Sequence, residues 1–453
     1  MPSDRNKCGV DPMTRGVCAA GLCALLAVAA HPSFAAGGGR GAPAGGTGAV
    51  RGGWVGAARP LRPPLPLADG VSDIIVDAPA QRVLVTTSSR VYVLDEATGR
   101  PLGSVPLPGR RPTFSSPTSI DPRTGAVVIF IGASGDSDGT RPADLALLDG
   151  RTGTVRRIVH IGGKPSYFVA DARRHRLYLF DGNKPGARVF DTSALAPRGT
   201  WPGLGNWPTI DERTGRVYAS TAKGIALYDE DSRAVLASRA LGGPAGGAYL
   251  DARSEHLFLL GAPGEPPPTA MSGASGYVTP DPGYFSILDA RTLRVLDVGN
   301  GCADGAAADA RRGRMVCLNI SPSTAGPGDL SHLPPPPNDV GFAIVDLRSG
   351  AVVHSETLFS GLQADASVAT DERTGRTIIV TTHQPTGETP CPCTGIGVYD
   401  TRTGRFVGAG PSVVDSLTSP GIANVVPDSQ TGIDYYVDGR NRLTEFRDAD
   451  ATY

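Results

Sequence analysis

Two aspartates, Asp304 and Asp365, are the residues whose type and spacing point most directly to chemistry. Each lies at the start of a short apolar segment, in successive copies of an internal repeat. Two carboxylates placed side by side can bind a divalent cation, or act as general acid and general base. The simpler interpretation is that both are solvated residues at the starts of strands.

Equivalent segments elsewhere in the chain begin with polar or aromatic residues that could converge on a small ligand. Together with the aspartate pair, the candidate ligand-binding residues are Asp73, Asn206, Trp207, Asp304, Asp365, His383 and Asn424. No Gly-x-Ser-x-Gly elbow and no convincing Ser/His/Asp set accompanies them. The catalytic residues of any enzymatic activity are therefore unknown at this level.

A second metal hypothesis rests on Asp136-Ser-Asp138-Gly139, which resembles the start of a calcium-binding loop. The downstream bidentate glutamate is missing at the expected spacing, and a solvated loop tip explains the same residues. Cysteines near His332 and His383 allow a zinc alternative. We expect no cofactor, with calcium at Asp136 and Asp138, or at Asp304 and Asp365, as the alternative.

Four cysteines lie beyond the N-terminal segment, at Cys302, Cys317, Cys391 and Cys393. An even number in an oxidising compartment indicates disulfides, with three possible connectivities. If a hairpin turns between residues 310 and 313, Cys317 lies opposite Ala306, four residues beyond Cys302, so a Cys302–Cys317 bridge requires a bulge. A bridge from this pair to the Cys391–Cys393 segment, or strained closure of Cys391 on Cys393, remains open.

The elements that must position these residues are copies of one phrase, in which an apolar strand ends in Asp and a tight turn closes with Gly. First turns start at Asp77, Asp121, Asp171, Asp211, Asp251, Asp309, Asp371 and Asp428. Second turns start at Asp95, Asp149, Asp191, Asp229, Asp289, Asp346 and Asp400. The Asp accepts hydrogen bonds from backbone amides, and Gly takes the positive φ, so both are architectural.

Strands such as 127–131 and 90–94 are apolar at successive positions, so both of their faces must be buried. Short strands of this kind, joined by hairpins and repeated every 40 to 60 residues, predict an all-β protein, a β-propeller. Eight first turns predict eight four-stranded blades, with seven as the alternative. The last blade lacks a fourth strand, which the N-terminal stretch from Trp54 to Leu61 is expected to supply.

These phrases resemble the repeats of the YVTN and quinoprotein-like propeller superfamily. The resemblance covers nearly the whole chain after the N-terminal segment and implies the fold rather than an activity. Quinoprotein dehydrogenases carry a Trp after the repeated Thr-Gly and a pair of adjacent Cys by the cofactor. Here the equivalent positions are apolar or Gly, and only three Trp are present.

The longest insertions fall between the second and third strands of their blades, at residues 132–142, 261–283, 321–339 and 384–394. In a propeller these connections open on one face, whereas the Asp turns lie on the other. Elaborated loops on a rigid scaffold are the usual place for binding. Passive decoration is the alternative.

Residues 1–36 are typical of a signal peptide, residues 37–70 of a Gly/Ala/Pro-rich leader, and residues 71–453 of a single propeller domain. The protein is therefore expected to be exported, to the periplasm or the exterior. With 43 basic and 44 acidic residues, the net charge of −1 argues against nucleic acid as a partner. We expect a monomer with no membrane span once the signal is removed.

The sequence favours a binding module that takes an unidentified protein or small-molecule ligand on its loop-elaborated face. The alternative is an enzyme with its site at the channel mouth, either a metal-assisted lactonase-like hydrolase or a quinoprotein-like redox subunit. A purely structural surface component is a third hypothesis. Neither the ligand nor the partner can be read from the residues.

Overall fold

A computed structural model describes residues 60–77, 80–108, 118–121, 123–131, 144–162, 167–181, 186–241, 244–245, 247–260, 284–300, 302, 304–322, 338–384, 395–410, 425–428, 430–437 and 442–447. The regular elements in these ranges are β-strands. No helix in the described ranges is long and apolar enough to cross a membrane.

The strands are numbered in chain order, and β1 (Leu65–Pro66) precedes the first blade. Blades 1 and 2 contain β2 (Val71–Asp77), β3 (Arg82–Thr87), β4 (Arg90–Asp95), β5 (Pro101–Pro106); β6 (Thr118–Asp121), β7 (Ala126–Ile131), β8 (Asp144–Asp149), β9 (Val155–His160). Blades 3 and 4 contain β10 (Tyr167–Asp171), β11 (Arg176–Phe180), β12 (Ala187–Asp191), β13 (Pro197–Trp201); β14 (Asn206–Asp211), β15 (Arg216–Thr221), β16 (Gly224–Asp229), β17 (Val235–Ala240).

Blades 5 and 6 contain β18 (Ala248–Asp251), β19 (His256–Leu260), β20 (Tyr284–Asp289), β21 (Val295–Asn300); β22 (Asp304–Asp309), β23 (Arg314–Pro322), β24 (Asn338–Asp346) and the first half of β25 (Val352–Asp371). Blades 7 and 8 contain the second half of β25, β26 (Arg376–Gln384), β27 (Gly395–Asp400), β28 (Phe406–Ala409); β29 (Val425–Asp428), β30 (Ile433–Val437), β31 (Arg442–Phe446) and, as its outermost strand, β1.

Eight four-stranded antiparallel blades in a ring form the architecture, so the prediction of an eight-bladed propeller is confirmed and the seven-bladed alternative is wrong. Within each blade the strands follow chain order from the centre outwards. The innermost strands of neighbouring blades contact one another, as β14 does with β10 and β18, and β29 with β25 and β2.

Burial falls from the centre of each blade to its outer edge. All six residues of β7 are buried, whereas the outer strands β5, β9 and β17 are mostly exposed. Eight apolar clusters form the core, and each is shared by two neighbouring blades. The strands are apolar on both faces because each central blade surface packs against the next blade.

The turns have the chemistry that the sequence predicts. The Asp149 carboxylate accepts hydrogen bonds from the amides of Arg151 (2.8 Å) and Thr152 (3.1 Å), and Gly153 closes the turn with φ of 69°. Four residues after the Asp, the left-handed conformation recurs even where the residue is not Gly, as at Leu293 (φ 55°). The backbone of the repeat is thus kept where its Gly is lost.

In blades 1 to 7 a bulge interrupts the outermost strand at its second residue. The shift falls at Leu102, Arg156, Arg198, Leu236, Leu296, Val353 and Val407. Bulges twist an edge strand and make it a poor template for a further strand. The free edges of the blades are protected in this way.

Closure of the ring differs from the sequence prediction in its position. The closing strand is β1, paired as Leu65 with Leu443, which lies beyond the predicted stretch of residues 54–61; residues 54–59 of that stretch are outside the described residues. Leu61 contributes one hydrogen bond, from its amide to the Glu445 carbonyl at 2.8 Å. Leu65 and Leu67 join the apolar cluster between blades 8 and 1, which explains why pairing occurs later in the chain. Strand β1 therefore lies within residues 37–70, the segment that the sequence assigned to the leader.

One strand, β25, belongs to two blades. Its first half pairs with β24 as the outermost strand of blade 6, and its second half pairs with β26 as the innermost strand of blade 7. Blades 6 and 7 consequently form one seven-stranded sheet. Elsewhere in the described chain, neighbouring blades are separate sheets.

Candidate functional site on the loop face

The four longest insertions follow Ile131, Leu260, Pro322 and Gln384, the last residues of second strands in blades 2, 5, 6 and 7. Second strands of a propeller end on one side of the ring, here named the loop face, and the Asp turns form the opposite turn face. The insertions themselves, including Asp136 and Asp138, lie outside the described residues. The start of every innermost strand is on the loop face, around the channel.

Trp207 is the most conspicuous residue at this position. It lies in β14, where the pairing with β15 shifts between Asn206 and Thr209, and its side chain is 52% exposed. Its φ of 51° is a left-handed conformation that is rare for a bulky side chain. The bulge thus turns an indole out of the blade at the channel mouth.

Tyr167, at the start of β10 in the preceding blade, supports this indole. The two rings are parallel within 3°, with centroids 4.4 Å apart, and the Trp207 amide donates a hydrogen bond to the Tyr167 hydroxyl at 2.7 Å. Phe180 stacks on the other side of Tyr167 at 4.7 Å. We name Trp207 and Tyr167 the aromatic platform, whose outer surface is the exposed indole.

The platform is electrically neutral. Burial raises the pKa of the Tyr167 hydroxyl, although the hydrogen bond from the Trp207 amide opposes the shift. The phenol therefore stays protonated at neutral pH. A flat apolar surface of this kind binds aromatic side chains, proline rings or sugar rings by stacking and by burial of apolar area.

Sequence reasoning included Trp207 but missed Tyr167. The signal was available, because both residues stand four positions before the first-turn Asp of their repeats. The full set at that position is Asp73, Pro117, Tyr167, Trp207, Gly247, Gly305, Ser367 and Asn424. The aromatic residues fall in two neighbouring blades and small residues follow, so the channel mouth has one apolar side.

Asp73 and Asn206 are half-buried at the loop-face ends of β2 and β14, as expected. The Asp73 carboxylate accepts a hydrogen bond from the amide of Ile74 at 2.8 Å, so it caps its own strand. Asn206 adjoins the platform through the bulge. The structure brings Asn206 and Trp207 together and places Asp73 three blades away from them.

For the aspartate pair the structure gives positions along the backbone. Asp304 pairs with Leu318 at the start of β22, and Asp365 pairs with Thr382 in the second half of β25. These are the innermost strands of blades 6 and 7, which contact each other, so the expected neighbourhood is correct. His383 pairs with Ala364 in the adjoining strand, and Asn424 lies outside the described residues.

Cys302 and Cys317 form a disulfide with their Cα atoms 5.0 Å apart. The register is the one expected, with Ala306 opposite Cys317, and the required bulge occurs between Asp304 and Ala306. Both cysteines are buried in the cluster between blades 5 and 6. Cys391 and Cys393 lie outside the described residues, so the bridge confirmed is the local one.

The turn face contains titratable groups that the sequence did not single out. Glu230, in blade 4, hydrogen bonds to Asp171 of blade 3 and accepts a hydrogen bond from the Tyr178 hydroxyl at 2.6 Å. Burial and the hydrogen bond with Asp171 raise the pKa of Glu230 to about 7. Burial also raises the pKa of Asp171, but hydrogen bonds from Glu230 and Arg174 outweigh it and keep that pKa below its ordinary value.

The same arrangement recurs between blades 8 and 1. Burial, followed by a hydrogen bond with Asp428, raises the pKa of Glu96 to about 8. Between blades 2 and 3 the position of the glutamate is taken by Thr192, which donates to Asp121 at 3.4 Å. At these three interfaces the residue after the second-turn Asp thus contacts the first-turn Asp of the preceding blade.

Among the described residues, no group of three or more His, Cys, Asp or Glu side chains is arranged to hold a metal ion. Asp136, Asp138 and His332 are outside that set, and the side chains of Asp304, Asp365 and His383 are not described. The metal hypotheses of the sequence therefore stay predictions.

The fold and the platform define an eight-bladed β-propeller with an aromatic side to its loop-face mouth. No protein-family model and no curated protein sequence matches the chain. Among solved structures it is similar to BamB from Moraxella catarrhalis, with a TM-score of 0.53, 12% identity, and coverage of 86% of this chain and 99% of that one.

It is also similar to Sqt1 from Saccharomyces cerevisiae, with a TM-score of 0.53, 8% identity, and the same coverage of 86% and 99%. At these identities the likeness concerns the fold alone. The YVTN and quinoprotein-like resemblance of the repeats therefore stays a prediction.

Proposed function

We propose that this protein is an exported binding module that captures a partner protein on its loop face, with Trp207 as the central anchor. The single observation that carries the proposal is an exposed indole, held in a strained backbone conformation and stacked on Tyr167. Backbone strain concentrates at functional positions, and Trp is enriched among the residues that dominate binding energy. The strands that precede the long insertions end on this same face, and elaborated loops on a rigid scaffold are the usual place for binding.

The finer parts of this proposal come from the sequence. The repeats are of the YVTN type, residues 1–36 direct export and are removed, and the mature protein is a monomer. N-terminal sequencing of protein recovered from the periplasm or medium tests the export signal. A mature chain beginning near residue 36 supports it, and an intact N terminus in the cytoplasm contradicts it.

The binding role is tested by affinity capture. Wild-type protein, Trp207→Ala and Val235→Ala are immobilised and exposed to cell-envelope extract of the source organism, and retained proteins are quantified by mass spectrometry. Val235 is the matched control, because it is an apolar residue with 59% exposure on an outer strand. We expect a partner that wild type and Val235→Ala retain and Trp207→Ala loses. Equal retention by all three would refute the anchor.

The enzymatic alternative has a separate readout. Asp304 starts the innermost strand of blade 6, and Asp365 lies within the innermost strand of blade 7. These two strands contact each other. Stoichiometric calcium or zinc in purified protein, lost in an Asp304→Asn/Asp365→Asn variant, would favour the channel-mouth enzyme. Binding that depends on Trp207 in metal-free protein would favour the module.

A further inference from the structure

The turn face carries exposed arginines in a regular arrangement that no part of the proposed function uses. Two residues after the first-turn Asp, six consecutive blades have an exposed arginine: Arg123, Arg173, Arg213, Arg253, Arg311 and Arg373. These hairpins join the two innermost strands, so the residues surround the channel mouth in blades 2 to 7. We name them the arginine arc, which is interrupted in blade 8, where Gln430 takes the position.

The arc is contiguous. The Arg173 Nη1 donates to the carbonyl of Arg213 at 3.3 Å, and the Arg253 Nη1 donates to the carbonyl of Arg311 at 3.2 Å. Turns of adjacent blades are thus within one arginine side chain of each other. The guanidinium groups of Arg173 and Arg253 thus bridge to the next turn and still have unused donors, because each carries five N–H groups.

The first-turn aspartates of the same turns face inwards. The six first-turn aspartates beneath the arc are buried, with at most 7% exposure, and their carboxylates accept hydrogen bonds from the turn amides. The Glu212 and Glu372 carboxylates accept hydrogen bonds from the amides of Ala172 and Ala310 in the preceding blades. The fold therefore buries the first-turn aspartates and leaves the arginines two residues later exposed.

Four arginines of the arc have no carboxylate partner among the described residues: Arg123, Arg173, Arg253 and Arg373. The other two have only loose partners, because Arg213 lies 3.6 Å from Asp211 and Arg311 lies 3.7 Å from Glu372. A guanidinium binds a carboxylate through two parallel hydrogen bonds. The unpartnered members are thus available to carboxylates of another molecule.

We propose that the arginine arc binds an extended acidic segment of a partner protein, in which alternate residues are Asp or Glu. Side chains on one face of an extended chain repeat every ~7 Å, which is comparable to the length of the arginine side chain that joins adjacent turns. An anionic membrane is the less suitable partner, because attraction to it depends on a long-range field. The buried aspartates and the net charge of −1 weaken that field and leave short-range hydrogen bonding intact.

The test measures fluorescence anisotropy of a labelled synthetic peptide of alternating Glu and Ser, against a Gln and Ser peptide, with the full chain. The arc variant is R123Q/R173Q/R253Q/R373Q. The matched control is R151Q/R348Q/R402Q/R405Q, which removes the same charge from exposed outer positions of the same face. We expect the arc variant to bind the Glu peptide at least about tenfold more weakly and the control less than about twofold, since each exposed pair contributes modestly.

Equal weakening in both variants would overturn the proposal in favour of diffuse electrostatics. Equal binding of the Gln peptide would do the same, and so would binding to phosphatidylglycerol vesicles without binding to the peptide. Should circular dichroism show that the arc variant is unfolded, Arg123→Glu replaces it. The Arg123 side chain has no hydrogen bond to a described residue, so its replacement should spare the fold and still weaken peptide binding about twofold. Unchanged affinity in that variant would also overturn the proposal.

Discussion

The carboxyl groups of Glu230, in blade 4, and Asp171, in blade 3, meet across the interface between their blades. A hydrogen bond between two carboxyl groups requires that one of them be protonated, and the raised pKa identifies Glu230 as the holder. Glu96 and Asp428 repeat this relationship between blades 1 and 8. At two interfaces of the ring, burial and a neighbouring aspartate therefore favour the protonated form of a glutamate by raising its pKa.

Stability should consequently fall as the pH rises from mildly acidic to alkaline. A glutamate whose pKa is raised on folding contributes stability that is complete below its unfolded pKa near 4.5. That contribution is lost as the pH rises through about 7 for Glu230 and about 8 for Glu96. Glu96→Gln, which keeps a donor toward Asp428, should remove part of the decline between pH 5 and 9, on the order of 1–3 kcal/mol.

The measurement is urea unfolding at a series of pH values, with Glu212→Gln as control. Glu212 is exposed and follows the first-turn Asp211, so its replacement should leave the pH profile unchanged. A Glu96→Gln profile parallel to that of the wild type would show that the pair is not protonated.

The exposure of Trp207 gives a spectroscopic prediction. In a Trp54→Phe background, emission comes from Trp201, which is 3% exposed, and Trp207, which is 52% exposed. Iodide should quench only the Trp207 component, and Trp207→Phe should remove both the quenching and the red-shifted part of the emission. Quenching that survives in the double variant would mean that Trp201 is accessible, contrary to its position in the core.

The backbone strain at Trp207 predicts that its replacement costs little stability. Trp207→Gly relieves a left-handed conformation worth about 1–2 kcal/mol and loses a stacking contact worth about 0.5–1.5 kcal/mol. The free energy of unfolding should therefore change by less than about 1.5 kcal/mol. Trp201→Gly is the contrasting variant, and it should be destabilising by about 3–5 kcal/mol because the side chain is buried. A similar loss in both would place Trp207 in the core.

The disulfide should be a local staple. Cys302→Ala/Cys317→Ala should lower the free energy of unfolding by about 2–4 kcal/mol, because the bridge restricts the unfolded chain by closing a loop across a sequence separation of 15. Peptide mapping without reductant should recover the two residues in one linked fragment. Recovery of either one linked to Cys391 or Cys393 would instead favour the bridge to blade 7.

Closure of the ring can be tested by truncation. A chain beginning at Val71 lacks β1 and the ion pair of Arg62 with Glu445 at 2.7 Å, whereas a chain beginning at Pro60 retains both. The shorter chain should unfold at a lower temperature and associate, because the edge of β31 is exposed. Identical melting of the two chains would show that β1 contributes nothing to closure.

The repeat made the fold predictable, because the Asp and Gly of each turn are needed wherever a hairpin occurs, and their spacing is independent of the loops. The position of β1 was less accessible, since a two-residue strand has no periodicity and its proline is typical of a linker. Trp207 was identified as a candidate ligand-binding residue, but its bulge and its stack on Tyr167 depend on contacts between blades. The raised pKa of Glu96 could not be predicted, because its burial depends on a neighbouring blade and leaves no signal in the local sequence.

The continuous β25 has a consequence for how the chain could be rearranged. New termini between most blades would fall in a connection between separate sheets and would interrupt no hydrogen-bonded ladder. A cut between blades 6 and 7 would sever β25, the strand that the two blades share within one sheet. The two halves of β25 would then lose their common register. Circular permutants opened there should assemble poorly, whereas those opened between blades 3 and 4 should retain the ring.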